Sequence, residues 1–132
     1  MAVAKWVNEG ENRVLNILLG ATPVDGAWYL GLYKNAVEPD EPVTLTEFTE
    51  PTGYGYARKQ LTRGQWSIAD DLAAYAQQTF LASGGDWGLI YGYFIATTAN
   101  NSGKVMAICH FDAPLNVLNG KGIKIVPKIR SA

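Results

Sequence analysis

The sequence predicts an all-β protein, an antiparallel β-sandwich or barrel with one short helix near its N-terminus. The C-terminal half carries the main signal, because its candidate strands recur about every ten residues. Turn clusters such as "SGGDWG" and "TANNSG" separate these strands. Helical spacing of apolar residues occurs near the N-terminus. We therefore expect one domain over residues 1–132, with an N-terminal arm and helix at 1–20 and the sandwich at 21–132.

The first predicted element is a helix that starts at Asn8 and stops at Gly20. Asn8 suits the N-cap position and Glu11 suits the N3 position of such a helix. The apolar residues that follow at helical spacing are Val14, Leu15, Ile17, Leu18 and Leu19. A helix this short is not stable alone, so we expect its apolar stripe to pack on a larger surface.

The next predicted element is a buried strand over "AWYLGLY", Ala27–Tyr33, which lies between the turn sequences "TPVDG" and "KNAVEPDEP". A long loop follows from Glu38 to Gly53, and its recurring prolines prevent regular ladder pairing. A loop of this length is more often functional or interfacial than a plain connection.

The middle of the chain predicts short strands and irregular stretches. Tyr56–Leu61 alternates weakly and predicts a strand. Trp66 and Ile68 indicate a short extended piece. Residues 69–77 predict a loop in preference to a helix, and a strand follows at Gln77–Leu81.

The C-terminal half contains the clearest β pattern. Its predicted strands are "LIYGYFIAT", "KVMAICHF", "LNV" and "IKIVPKIR". "DAP" is predicted as a corner before "LNV", and "LNGKG" as a hairpin turn before the last strand. Strands at this spacing are typical of a sandwich or a barrel.

The charge content limits the classes of partner. Charged residues make up 17% of the chain, against roughly 25% in an average soluble domain, and this low content indicates a surface that meets a partner. The net charge of −1 argues against a nucleic-acid binder, which needs a basic face, and against capture by anionic membranes. The N-terminus does not resemble a signal peptide. We therefore expect neither a nucleic-acid nor a membrane partner.

No residue pattern predicts catalysis, a cofactor or a metal site. The only histidine, His110, adjoins the only cysteine, Cys109, but neighbouring side chains of a strand point to opposite faces. The acidic residues Asp70 and Asp71 lack the ligand spacing of a calcium loop. The glycine-rich stretches match neither phosphate-binding motif. We expect a protein that is not an enzyme.

Tryptophan residues provide candidate partner contacts. Trp6 precedes the predicted helix and Trp66 lies between polar turns, so both are interface candidates. Trp28 and Trp87 border apolar strands, and we expect them in the core.

Basic residues of the last predicted strand provide a further candidate contact. Lys124, Lys128 and Arg130 are separated by even numbers of residues and would share one strand face. Such a face either keeps a solvated edge strand from aggregating or contacts an acidic partner surface.

Several segments follow one another in a recognisable order. They are "WYLGLYKN", "PTGYGYAR", "QQTFLAS", "GDWGLIYGYFIATTANNSGKVMAICHF" and "PLNVLNGKGIKI". This order resembles that of small structural proteins from tailed-bacteriophage virions, and the likeness is best at "GYAR", at "DWG" and at the Gly103 turn. Some similar chains form a jelly-roll cement layer on phage heads, and others are described as tail-fibre-like. The resemblance implies a jelly-roll-like β-sandwich.

The resemblance implies first a capsid cement, or decoration, protein on the virion surface, assembled in the host cytoplasm. Such a protein would bind the major capsid protein as a homo-oligomer, a dimer or a trimer, through many weak contacts. In that case Arg58 would hold a structural corner in "EPTGYGYARKQL" by bonding to backbone carbonyls or to a neighbouring subunit. The alternative is a tail or fibre component that recognises host glycans through aromatic residues such as Trp66.

Overall fold

The computed structural model describes residues 3–130, and residues 1–2 and 131–132 at the ends of the predicted domain lie outside the described residues. Most of the regular structure within these described residues is β-strand, and they include one α-helix near the N-terminus. The elements in chain order are β1 (Lys5–Trp6), α1 (Asn8–Leu19), β2 (Ala27–Tyr33), a 3-10 helix (Leu45–Glu47), β3 (Lys59–Thr62), β4 (Ser67–Ala69), β5 (Leu72–Ala74), β6 (Gln78–Leu81), β7 (Gly88–Ala96), β8 (Val105–Val117), β9 (Gly122–Ile125) and β10 (Lys128–Arg130).

The strands of the described residues form a main sheet and two smaller sheets around a shared core. The main sheet has the order β1-β8-β7-β2-β3, the second sheet has the order β10-β5-β4, and the third pairs β6 with β9. Phe80, Ile123 and Ile129 of the smaller sheets pack in one cluster with Leu32 and Tyr93 of the main sheet. The predicted all-β class, with antiparallel sheets and a short N-terminal helix, is confirmed, and a β-sandwich is consistent with this arrangement.

The long loop after β2 covers a second core on the other face of the main sheet. Leu45 and Phe48 from this loop cluster with Tyr33 and Phe94. The rings of Phe48 and Phe94 stack with their centroids 4.4 Å apart. Phe94 lies over Gly31, where an added Cβ would come within 2.3 Å of the ring. The glycine in the middle of β2 therefore makes room for the aromatic pair.

Helix α1 begins one residue earlier than the capping motif predicts. The N-cap is Val7 and has no side-chain cap, so the predicted cap by Asn8 is wrong. The chain enters the helix directly from β1, and neighbouring segments satisfy its first amide groups: Val7 N–H donates to the Met106 carbonyl (3.2 Å) and Asn8 N–H donates to the Glu41 carbonyl (3.0 Å). The predicted end of the helix at Gly20 is confirmed.

A hairpin of β4 and β5 occupies a region that the sequence predicted only in part. The extended piece at Trp66 and Ile68 overlaps β4, but residues 69–77, predicted as a loop, contain β5. Asp70 and Asp71 form the turn with φ values of 51° and 63°, a conformation that Asp tolerates better than most residues. Strand β5 pairs with β4 on one side and with the distant β10 on the other, so a local pattern could not predict it.

Two other strand predictions need correction in the C-terminal part. One continuous strand, β8, contains the segments predicted separately as "KVMAICHF", "DAP" and "LNV". A β-bulge replaces the predicted corner at "DAP", since Gly92 pairs with His110 whereas Ile90 pairs with Leu115. The last predicted strand is instead two strands, β9 and β10, which flank Pro127 and pair with different partners, β6 and β5. Proline cannot donate a ladder hydrogen bond, which favours a break there.

Candidate functional site

An open apolar groove of about 560 Å³ lies where the main sheet meets the sheet of β10, β5 and β4. Ile17 of α1 and Val24 of the following loop line one side. Ile68 of the β4–β5 hairpin lines the other side and is 76% exposed. Leu61 and Ile129, both buried, also line the groove. A concave apolar surface of this volume is within the range of small-molecule binding sites.

Three tryptophan rings give the groove its aromatic lining. Trp6 and Trp28 meet edge to face with centroids 6.2 Å apart, and Trp28 and Trp66 meet in the same way at 6.5 Å. The Trp66 ring in turn contacts the Tyr75 ring, with their centroids 5.2 Å apart. Such edge-to-face contacts fix ring orientation. The structure thus brings together the two predicted interface residues, Trp6 and Trp66, and adds Trp28, which the sequence predicted as core.

A partly buried ion pair holds the central ring in place. The Trp28 Nε1–H donates to Asp25 Oδ2 at 3.0 Å. Arg13 donates two hydrogen bonds to the same carboxylate, at 2.8 and 2.6 Å. The Arg13 guanidinium holds the pKa of Asp25 below its ordinary value, although burial acts in the opposite direction. Asp25 is therefore an ionised acceptor at neutral pH and orients the Trp28 ring.

The other charged groups of the groove differ in their pairing. Asp71 accepts a hydrogen bond from Arg130 at 2.9 Å, so its charge is compensated. Arg63 is exposed, and within residues 3–130 its guanidinium has neither an ion-pair partner nor a side-chain hydrogen bond. The backbone of Arg63 is nevertheless fixed, because its N–H donates to the Gly26 carbonyl at 3.0 Å.

A comparison with known protein families identifies the family to which the chain with this aromatic groove belongs. Residues 5–128 match the model of the family described as "Podophage GP4 fiber I protein gp80". The chain belongs to this gp80 family. It is therefore related to structural proteins of the bacteriophage virion. No curated protein matches the chain.

Arg58 of this gp80-family chain lies inside the molecule rather than at the groove. Its side chain is only 3% exposed and donates two hydrogen bonds to Glu50, at 2.7 and 3.1 Å. It also donates to the carbonyls of Thr98 (3.0 Å) and Asn100 (2.6 Å) and lies over the Phe94 ring, 4.9 Å from its centroid. These contacts agree with the predicted bonding to backbone carbonyls. Contact with a partner stays a prediction.

The prediction that Lys124, Lys128 and Arg130 share one face of a single strand is wrong. Lys124 lies on β9, whereas Lys128 and Arg130 lie on β10, and the two strands belong to different sheets. Arg130 is ion-paired with Asp71 at the groove. Whether any of these basic residues contacts a partner stays a prediction.

Cys109 and His110 of the gp80-family chain occupy different environments, as their adjacent strand positions predict. Cys109 is buried in the core shared by the sheets, and burial raises the pKa of its thiol to about 11. His110 Nδ1 shares a hydrogen bond of 2.8 Å with the Tyr33 hydroxyl on the other face. Across residues 3–130 no three acidic, histidine or cysteine side chains form a cluster that could hold a metal ion. The described part also contains no helix long and apolar enough to cross a bilayer.

Proposed function

We propose that this chain is a fibre component of a bacteriophage particle and binds saccharides of the host surface in the tryptophan groove, without catalysis. The observation that carries the proposal is the arrangement of Trp6, Trp28 and Trp66 around one open groove. The membership in a family described as a fibre protein supports the assignment to a fibre.

The shape and chemistry of the groove suit a sugar ring. Saccharides have apolar C–H faces that stack on aromatic rings and polar edges that need hydrogen-bond partners. The exposed parts of the three rings provide the stacking surface for the C–H faces. The rim residues Arg63 and Asp71 provide hydrogen-bond partners for the polar edges. The bonds from Trp28 to Asp25 and from Asp25 to Arg13 keep the central ring oriented before a ligand arrives, which reduces the entropy lost on binding.

Saccharide binding by the purified full chain tests this proposal. We expect the chain to bind members of a bacterial glycan array and Trp66→Ala to weaken binding about tenfold, because an aromatic stacking contact is worth up to about 1.5 kcal/mol. Ile68→Lys provides a second test, because Ile68 is largely exposed and its replacement leaves the core intact. Tyr54→Ala removes an exposed aromatic that does not line the groove and serves as the control. Binding that neither groove variant weakens would contradict the proposed site.

A capsid cement protein that binds the major capsid protein is the second candidate. The low charge content favours it, but it has less support because the matching family is described as a fibre protein. Quantitative mass spectrometry of purified virions separates the two roles. A copy number close to that of the major capsid protein would support cement, and a far smaller number would support a fibre. Absence from the virion would contradict both.

Self-association is the remaining part of the proposed function, and α1 provides the surface for it. Leu15, Leu18 and Leu19 lie on the side of the helix away from the sheet and are 55%, 72% and 83% exposed. Residues 14–24 carry no charge. A contact between two copies brings like surfaces together, so an uncharged apolar surface associates without repulsion. We propose that a second copy of this chain covers the three leucines.

A further inference from the structure

The charges around the tryptophan groove are unequally compensated. Of the charged residues that line it, Asp25 is paired with Arg13 and Asp71 is paired with Arg130. Arg63 is the remaining charged lining residue, and in the described part of the chain no carboxylate pairs with it. The groove therefore has one uncompensated positive charge at its rim.

The position of Arg63 makes this charge part of the groove. Arg63 directly follows β3, whose residue Leu61 lines the groove, and it precedes Gly64, which has a φ of 91°. The turn is closed by the Gln65 N–H, which donates to the Thr62 carbonyl at 3.3 Å. A fixed backbone thus places a guanidinium beside an aromatic surface.

We propose that the groove selects an acidic saccharide, whose ring stacks on the tryptophans while its carboxylate pairs with Arg63. This inference rests on the proposed function and names its ligand class. A guanidinium is a planar donor that binds a carboxylate through two parallel hydrogen bonds. A carboxylate has a single negative charge and matches one arginine. A phosphate monoester has about −1.5 to −2 charges at pH 7, and a single unpaired cation does not balance it.

A pairwise comparison of ligands tests the selection for acid. The probes are oligosaccharides that end in glucuronic, galacturonic or sialic acid, each together with its carboxyl methyl ester, which keeps the ring and removes the charge. Calorimetric titration of the full chain should show that at least one acid binds about tenfold more tightly than its ester, because a hydrogen bond to a charged group contributes about 1.5–3 kcal/mol.

Two variants separate the roles of charge and ring. Arg63→Gln should bring the affinity for the acid down to that for the ester, whereas Trp66→Ala should weaken the binding of both. Lys124→Gln makes the same change of charge on β9, away from the groove, and should leave the affinities unchanged. Raising the salt from about 0.05 to about 0.5 M should weaken the binding of the acid to the wild type and not to Arg63→Gln.

The possible failures are distinguishable. If acid and ester bind equally and Arg63→Gln has no effect, the selection for acid is wrong and the proposed saccharide site stands. If no probe and no member of the glycan array binds, both the inference and the proposed function are overturned. Self-association that Trp66→Ala abolishes would show that a second copy of the chain occupies the groove, which also overturns the inference.

Discussion

At the scale of single residues, two arginines with carboxylate partners have different tasks. Arg58 joins the segment around Glu50 to the turn at residues 98–101, since it donates to groups in both. Arg13 binds Asp25, which in turn orients Trp28 in the groove. The first pair maintains the fold, and the second maintains the geometry of the candidate site.

Replacing Arg58 by alanine should destabilise the protein strongly. The substitution leaves the partly buried Glu50 carboxylate with the Tyr56 hydroxyl as its remaining donor and removes the guanidinium from the Thr98 and Asn100 carbonyls. The loss of hydrogen bonds to a charged group costs about 1.5–3 kcal/mol. Urea unfolding of the two proteins measures the loss. Arg63→Ala is the matched control, because it removes an exposed arginine and should change the free energy of unfolding by less than about 0.5 kcal/mol. An unchanged stability of Arg58→Ala would refute the structural role.

The pair of Arg13 and Asp25 predicts a dependence of stability on pH. Arg13 lowers the pKa of Asp25 in the folded protein below the ordinary Asp value of 3.8. The pair's contribution to the free energy of unfolding is therefore complete at pH values well above 3.8, and it is lost as the pH falls through the lower pKa of the folded protein. Asp25→Asn should cost about 1.5–3 kcal/mol at neutral pH. The difference between wild type and variant should narrow below about pH 4. A difference that stays constant down to pH 2 would contradict the assignment.

At the scale of elements, the placement of α1 depends on one close approach of two backbones. Gly10 is the buried residue of the helix, and a Cβ at this position would lie 2.0 Å from the Met106 carbonyl oxygen of β8. The Glu9 carboxylate accepts a hydrogen bond from the Val105 N–H of the same strand at 3.1 Å. Because the helix rests on β8 in this way, Ile17 reaches the wall of the groove.

Gly10→Ala should therefore destabilise the protein, although alanine is the better helix former. The gain in helix propensity is about 1 kcal/mol, but the clash is with backbone atoms, which a rotamer change cannot relieve. We expect a net loss of about 1–3 kcal/mol in thermal or chemical unfolding. Asn12→Ala, at an exposed position of the same helix, should be neutral or slightly stabilising. A stabilised Gly10→Ala would show that α1 does not lie close against β8.

At the scale of the whole molecule, the groove and the leucines of α1 form two separate surfaces. The groove lies between sheets, and Leu15, Leu18 and Leu19 lie on the far side of the helix. One surface can therefore bind a ligand while the other is covered by a second copy. This division suits a fibre component, which has to be assembled and to present a binding site.

The proposed self-association predicts that polar residues on α1 produce a monomer. Sedimentation equilibrium should show an oligomer for the wild type and a smaller species for the double variant Leu18→Gln, Leu19→Gln. The free energy of unfolding of the monomer should change by less than about 0.5 kcal/mol, because both side chains are exposed. Val37→Gln changes an exposed apolar residue in the loop after β2 and serves as control. A wild type that remains monomeric at high concentration would contradict the proposal.

The sequence by itself determined the β class of the protein and part of its local elements. Strand β2 has the predicted bounds and α1 ends at the predicted Gly20, because periodicity and turn residues act over a few positions. Trp6 and Trp66 stood out because their neighbours are polar or irregular. Only the tertiary structure decided that β5 pairs with β10, that Trp28 joins the other two rings, and that Arg63 is the arginine without a carboxylate partner among residues 3–130. These features depend on contacts between residues far apart in the chain, which no local pattern encodes.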